Sequence, residues 1–515
     1  MKTPSFYTLF GLGLCAQIAA AIGVEDSSSL ERRADDILID PAAIPSLPSL
    51  DKASAAAASN GLNLSNIQGD LLIGMRKNKE QFVFFSISNP LIFKKQFKKN
   101  VLPLITTTTQ ILNPPRRPKA SLNIAFSSRG LVKLGIADNL NDTAFTAGMR
   151  NQAELGLLGD PLPLTDPGRW KPEFSGSTID GVLIIASDTD TNMGGCRDAI
   201  SKLFANCAKQ VYSLSGAARP GNQAGHEHFG YADGISNPAI QGFDTASKGQ
   251  PPFPGQAVVP PGEILLGNTG DRNTRPDWTK DGSFLAFRQL KQLVPEFNQF
   301  VNANPLPVKG LTKQQQSDLF GARMVGRWKS GAPVFLSPRV DNATLGADPM
   351  LNNDFNYALN GAAQADPTDQ SRCPFSAHIR KTRPRADLNG SDPNSNHHIV
   401  RAGIPYGPEV TAAEARTSKS TKDRGLAFVS YQSNLLAGFQ FIQRIWANNP
   451  NFVHPGTGFD PIIGANSSQP RQVKGLDLTN PNRTVTITTD FVVSEGGEYF
   501  FSPSMAALSS SRFSA

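Results

Sequence analysis

The chain has little cysteine, and no long apolar run follows its first residues. Of 515 residues four are cysteine. Cys15 falls in an apolar leader, which leaves Cys196, Cys207 and Cys373, an odd number too sparse for a disulfide framework. Cys196 and Cys207 bracket the amphipathic stretch CRDAISKLFANC. At about 1.5 Å rise per residue, the ends of such a helix lie too far apart to bridge. Beyond Ala21 no stretch gives about 18 uninterrupted apolar residues, so none reads as a membrane span. No basic stripe interleaved with aromatics argues for nucleic acid, and no H-E-x-x-H helix argues for a zinc protease. The core must hold itself without covalent staples.

What is present is ordinary for a globular chain: 39% hydrophobic and 18% charged residues, enough for two or three domains' worth of core at this length. The net charge is +7. Its Lys and Arg are scattered, and a solvated basic surface is the simplest account. Met1 and Lys2 lead into an apolar run, Phe6 to Ala21, ending in small residues, so residues 1–21 read as a secretory signal peptide. Residues 22–61 carry the dibasic pair Arg32 and Arg33, then Pro41, Pro45 and Pro48, and read as a pro-segment or disordered arm. Six Asn-x-Ser/Thr sequons, at Asn63, Asn141, Asn342, Asn389, Asn466 and Asn482, suit a secreted glycoprotein.

Along the mature chain, strands are expected at Gln81–Ile87, Leu122–Ser128 and Thr178–Ser187, and helices at Pro90–Leu104 and Arg197–Ala208. A Pro- and Gly-rich bridge, Pro251 to Gly270, separates a first domain, 62–250, from a second, 271–515. The second repeats the theme with strands Ser283–Arg288 and Leu426–Tyr431 and helices Val294–Ala303 and Asn434–Asn448. Irregular alternation of this kind predicts an α+β fold rather than a doubly wound sheet.

Chemistry concentrates in GHEHFGYADGISNPAIQG, Gly225 to Gly242. It offers His226, His228 and Asp233, the acid held between Gly230 and Gly234. Glycines there permit backbone angles that other residues resist; a polar turn would have the same composition. Imidazole with carboxylate also suits zinc. Farther on, CPFSAHIRKTRPRADL holds His378 and HHIVRAGIPYG holds Arg401. A lone His is most often structural and a lone Arg a surface charge.

Taken together, these segments resemble the dye-decolourising peroxidases. The resemblance rests on Gly230-Tyr231-Ala232-Asp233-Gly234, which matches that family's G-x-x-D-G motif, on His378 and Arg401 in their segments, and on IQGD at Ile67, LAFVSYQ at Leu426 and DPIIG at Asp460. It runs from about residue 62 to the end, and the leader makes the chain similar to the secreted members found in fungi. It implies a dimeric α+β barrel of two ferredoxin-like halves, with one haem b per chain in a cleft of the second half. His378 is then the axial ligand of the haem iron, and Asp460 the carboxylate bonded to its other nitrogen, which makes the imidazole more basic. Asp233 is implied as the acid–base group for peroxide and Arg401 as the fixed charge beside the departing oxygen. Leu426 and Phe428 alternate along one strand, so they face one side, and the resemblance makes that side the distal pocket. Bulky aromatic reductants would not enter it, so Trp446, in the polar setting IWANNP, is expected as a surface oxidation site, with Tyr406 second. An Asp-based shuttle implies an acidic optimum. Hydrogen peroxide and aromatic reductants are the expected partners of a secreted monomer that binds neither nucleic acid nor membrane. The competing readings are a non-catalytic haem-binding or haem-processing protein, a zinc hydrolase built on His226 and His228, and a secreted structural or carbohydrate-binding module.

Overall fold

The computed structural model describes residues 50–515 apart from 177, 245–251, 360, 361, 363 and 389–395. The apolar leader, the dibasic pair and the sequon at Asn389 lie outside the described residues. The first described element is the helix α1 (Leu50–Ser59), inside the arm expected to be disordered. Its alanines Ala53 and Ala57 are buried in the main core. The Ala run is too poor in apolar bulk to fold by itself, but small side chains let the helix lie close against that core.

The run KEQFVFFSI forms β1 (Lys79–Ile87), buried on both faces. Phe84 turns inward onto Phe287, centroids 4.9 Å apart, while Phe85 turns outward onto Phe93 of α2 (Pro90–Gln96). Strands β2 (Ala120–Phe126) and β3 (Gly181–Ser187), helix α3 (Asp190–Phe204) and strand β4 (Ala208–Ala217) complete the first half. The four strands are antiparallel in the order β2-β3-β1-β4. The second half contributes β5 (Ser283–Gln292), α4 (Val294–Ala303), α5 (Lys313–Val325), α6 (His378–Thr382), β6 (Val400–Arg401), β7 (Ile404–Tyr406), β8 (Gly425–Gln432) and β9 (Val492–Ser502). Both β6 and β7 pair with β8, so together they make one interrupted strand. The order β7-β8-β5-β9 repeats the permutation of the first half. The expected duplication is therefore present in topology.

The two sheets meet at narrow seams, Phe501 opposite Phe126 and Gly216 opposite Tyr406, and so close into one barrel. Closure removes the open sheet edges that would otherwise template pairing with other chains. The halves share a core: one buried cluster runs from Ala53 to Phe513. Along β8 the side chains alternate, Ala427, Val429 and Tyr431 into that core and Leu426 and Phe428 onto a cavity in the second half.

Two expected helices differ in the structure. Helix α3 starts at Asp190, capped by the Thr189 hydroxyl on the Asn192 N–H, and stops at Phe204, so Cys207 lies beyond it. Cys196 and Cys207 are both buried and free. The helix expected over Asn434–Asn448 is instead a short α turn, Phe439–Phe441, running into a π-helical turn, Ile442–Ala447. Replacing Phe84, packed against Phe287, Phe174 and Tyr212, with Ala is expected to cost about 3–5 kcal/mol of stability. Denaturant unfolding of the variant measures this, and a loss under about 1 kcal/mol would contradict the packing.

Candidate active site

The cavity occupies about 700 Å³, within the usual range for a small-molecule site. Its wall draws on the second half and on two stretches before it, Gly159 to Arg169 and Glu227 to Pro238. Apolar side chains from β8, from α6 and from the π-helical turn line much of it, among them Leu426, Phe428, Ile379 and Ile442.

Asp233 borders this cavity just past the isolated pairing of His226 with Ala232, where the loop between them closes on itself. Gly230 has φ +94° and Gly234 φ +82°. A Cβ on Gly234 would meet nothing within 4 Å, so glycine is required there by the backbone angle rather than by crowding. Gly234 lines the cavity; Gly230 shapes the loop behind it. The carboxylate accepts from Arg401 Nη1 at 2.5 Å and from the Gly234 N–H at 2.6 Å. Burial pushes this carboxyl up, but the Arg401 guanidinium, those hydrogen bonds and the charge of His378 outweigh it and hold Asp233 below the ordinary carboxylate value.

Arg401 ends β6, where it pairs with Ser430 of β8. Its main chain is held by Asn237, whose Oδ1 accepts from Arg401 N at 3.2 Å and whose Nδ2 donates to Arg401 O at 2.9 Å. Glu227 performs the matching task for the loop, accepting from the N–H groups of Phe229 at 2.8 Å and Tyr231 at 2.9 Å and from the Gln292 amide. Neither residue stood out in the sequence, although both belong to the segment that did.

His378 opens α6 and borders the cavity. Its Nδ1–H donates to Asp460 Oδ2 at 2.8 Å. The other oxygen of Asp460 accepts from Ile462 N at 2.8 Å and Ile463 N at 3.0 Å, so a fully buried carboxylate is satisfied on both sides. Burial works against the imidazolium, yet Asp460 more than offsets it and raises His378 above its ordinary 6.5. For Asp460, burial pushes up, and the His378 charge and hydrogen bond with the two N–H groups pull it below the carboxylate range. With Nδ1 engaged, Nε2 is the nitrogen left for a ligand.

The two conspicuous histidines are structural. His228 Nε2–H donates to Tyr406 O at 2.8 Å, and burial lowers its pKa to about 4. His226 has each ring nitrogen 3.1 Å from a carbonyl, of Ala224 and of Lys329. Among the described residues no group of three His, Cys, Asp or Glu side chains is placed to hold a metal ion, which removes the basis of the hydrolase reading.

Trp446 is not a surface residue: 3% of it is exposed. The π-helical turn points its indole inward, where it stacks on Phe452 at 5.3 Å and meets the ring of His397 edge-on at 5.1 Å. His397 itself lines the cavity and lies flat on Phe441 at 3.7 Å. Tyr406 is buried too, at 4% exposure, with its hydroxyl on Asp423 Oδ1 at 3.2 Å. The polar letters around Trp446 belong to the turn after it, which is why the sequence suggested a surface position.

A family model described as DyP dimeric alpha+beta barrel domain matches residues 66–220, and one described as Dyp-type peroxidase, C-terminal, matches residues 227–452. Dye-decolorizing peroxidase msp1 of Mycetinis scorodonius is 49% identical over 491 residues, 93% of each chain. Dye-decolorizing peroxidase AauDyP1 of Auricularia auricula-judae is 46% identical over 507 residues, 96% of this chain and 95% of its own. The crystal structure of a fungal DyP-type peroxidase from Auricularia auricula-judae superposes with a TM-score of 0.82 at 48% identity, covering 88% of this chain and 99% of that one.

The raised pKa of His378 gives a sign that can be measured. Its pairing with Asp460 contributes stability fully below the unfolded histidine value near 6.5 and loses it as pH rises through the higher folded value. In the metal-free protein, Asp460→Asn is expected to bring the His378 titration down below 6.5, read by imidazole nitrogen NMR shifts; an unmoved titration would show that the carboxylate does not govern this ring.

Proposed function

The chain belongs to the dye-decolourising peroxidase family and is a peroxidase, and from that premise we propose a secreted enzyme that uses hydrogen peroxide to oxidise bulky aromatic compounds such as dyes, phenolics and lignin-related molecules. The observation that carries this reading is the pairing of two acid–cation couples on one cavity, Asp233 with Arg401 and His378 with Asp460. Secretion rests on the leader, Met1 to Ala21.

Family membership implies haem, and the residues present fit it. The cavity has the volume and apolar lining for a flat macrocycle, His378 keeps one ring nitrogen for the iron, and the cationic wall to which Arg327, Arg383 and Arg385 contribute suits a group that carries carboxylates. We take the group to be one haem b per chain. When bound, it supplies an iron that receives peroxide and holds the oxidising equivalents released as the O–O bond breaks.

The side chains do the rest. Asp233 takes the proton from one peroxide oxygen and returns it to the other, which leaves as water. It must be ionised to begin, and its lowered pKa keeps it so in mild acid, where a histidine base would already be protonated. Arg401 places a fixed positive charge where negative charge develops on the departing oxygen, and holds the carboxylate meanwhile. Asp460 fixes the ring orientation of His378 and raises its basicity. Leu426 and Phe428 narrow the space to peroxide and small molecules. Trp446 is buried, so it serves as an internal relay: electrons from larger substrates cross the segment over it and pass to the cavity by way of His397 and Phe441. Tyr406, bonded to Asp423, is the second relay.

With haem loading intact, Asp233→Asn is expected to slow the reaction with peroxide by about 10²–10⁴-fold, and the acid limb of the rate profile, set below the ordinary carboxylate value, disappears. Stopped-flow absorbance across pH checks both, and a variant as fast as the parent refutes the shuttle. Trp446→Phe is expected to lose turnover of bulky dyes while small phenols are oxidised as before; steady-state kinetics on the two classes side by side decide it.

A further inference from the structure

Lys381 lies one helical turn beyond His378 and is 1% exposed. Its ammonium donates to three main-chain carbonyls, Asn449 O at 2.7 Å, Phe452 O at 2.6 Å and Gly458 O at 2.6 Å. Among the described residues no carboxylate stands within ion-pair distance of it, so the cation is solvated by carbonyl dipoles and carries its charge uncompensated. Burial lowers its pKa to about 8, against the distant pull of Asp460, and it remains an ammonium through the acid and neutral range.

The three carbonyls belong to the segment that covers Trp446. Asn449 and Phe452 follow it in the chain, and Gly458 leads to Asp460. The ammonium also stands 5.9 Å from the Phe452 ring, whose other neighbour is the indole, stacked at 5.3 Å with an angle of 12° between planes. One buried cation thus ties the His378 helix, the loop leading to Asp460 and the Trp446 cover together, and it ends the aromatic stack.

We propose that Lys381 is a positioning residue for the Trp446 relay, a fixed positive charge that makes the indole harder to oxidise and so makes its oxidised form a stronger oxidant. The inference rests on the relay reading of Trp446 given above. In that relay Trp446 gives one electron to the peroxide-oxidised cofactor and later takes one from the substrate. Between the two steps the ring bears an added positive charge, which a nearby ammonium in a water-poor setting destabilises. The same energy is returned when the ring draws its electron from the substrate. Substrates that hold their electrons tightly therefore gain most from Lys381, and easily oxidised phenols gain little.

The test compares Lys381→Gln, which offers two N–H donors in place of the ammonium's three and removes the charge, with Lys381→Arg and Trp446→Phe, all as haem-loaded enzymes. After one equivalent of peroxide without reductant, electron paramagnetic resonance is expected to show a longer-lived tryptophan radical in Lys381→Gln. Turnover of high-potential dyes falls about tenfold, small-phenol turnover is unchanged, and Lys381→Arg resembles the parent. Asn449→Asp adds a negative charge at a residue whose main-chain oxygen accepts from the ammonium, leaving that carbonyl in place, and is expected to act in the same direction; it serves if Lys381→Gln does not load haem. Parental radical lifetime and dye turnover in a loaded charge variant overturn the proposal, as does Lys381→Arg behaving like Lys381→Gln, which would assign the effect to packing. A radical and dye turnover that persist in Trp446→Phe instead overturn the relay reading beneath it.

Discussion

The pairing of β8 with β5 holds the second-half sheet in register and fixes which of its side chains face the cavity. Because side chains alternate along a strand, the register that buries Ala427, Val429 and Tyr431 in the shared core leaves Leu426 and Phe428 no direction but the cavity. The facing residues of β5, Arg288 and Leu290, are committed to the same wall. Arg401 is placed by the same strand from its other edge, through its pairing with Ser430. A slip of one residue would exchange the lining of the site with the core, and the aromatic packing of Phe84 on Phe287 resists that slip from inside the barrel.

On this frame the charges are arranged as two couples that stabilise opposite chemical tasks. Asp233 is kept an anion by Arg401, and His378 is kept basic by Asp460. Each acid is held by backbone N–H groups as well as by its cation: Gly234 for the first, Ile462 and Ile463 for the second. Such bonds cost no reorganisation during turnover, which is the value of a preformed site. The long connections between the strands are where these residues are found, as expected when a rigid scaffold carries function on its loops.

Much of this was legible beforehand. Asp233, His378 and Arg401 each read as ordinary alone and stood out only because their segments together resemble one family, while the apolar runs of β1 and β8 announced buried strands. Asn237 and Glu227 were not, because what they do is bond to main chain far away or across a turn, and composition carries no trace of it. Strands β4 and β9 escaped for a different reason: AKQVYSLSGA and VVSEGGEYFFS mix polar, glycine and aromatic residues, and only pairing with neighbours makes strands of them. Trp446 was misplaced because the depth of a side chain at a π-helical turn depends on that turn, which periodicity of 3.6 does not anticipate. Helix α1 was missed since its alanines bury little surface alone and gain stability only against the finished core.

The central claim is that the Asp233–Arg401 and His378–Asp460 couples serve a haem that reacts with peroxide. The most direct measurement is the absorption spectrum of the purified protein before and after one equivalent of hydrogen peroxide. The account predicts a Soret band that shifts within the mixing time and returns when an aromatic reductant is added. A colourless protein, or a Soret band indifferent to peroxide, would contradict it.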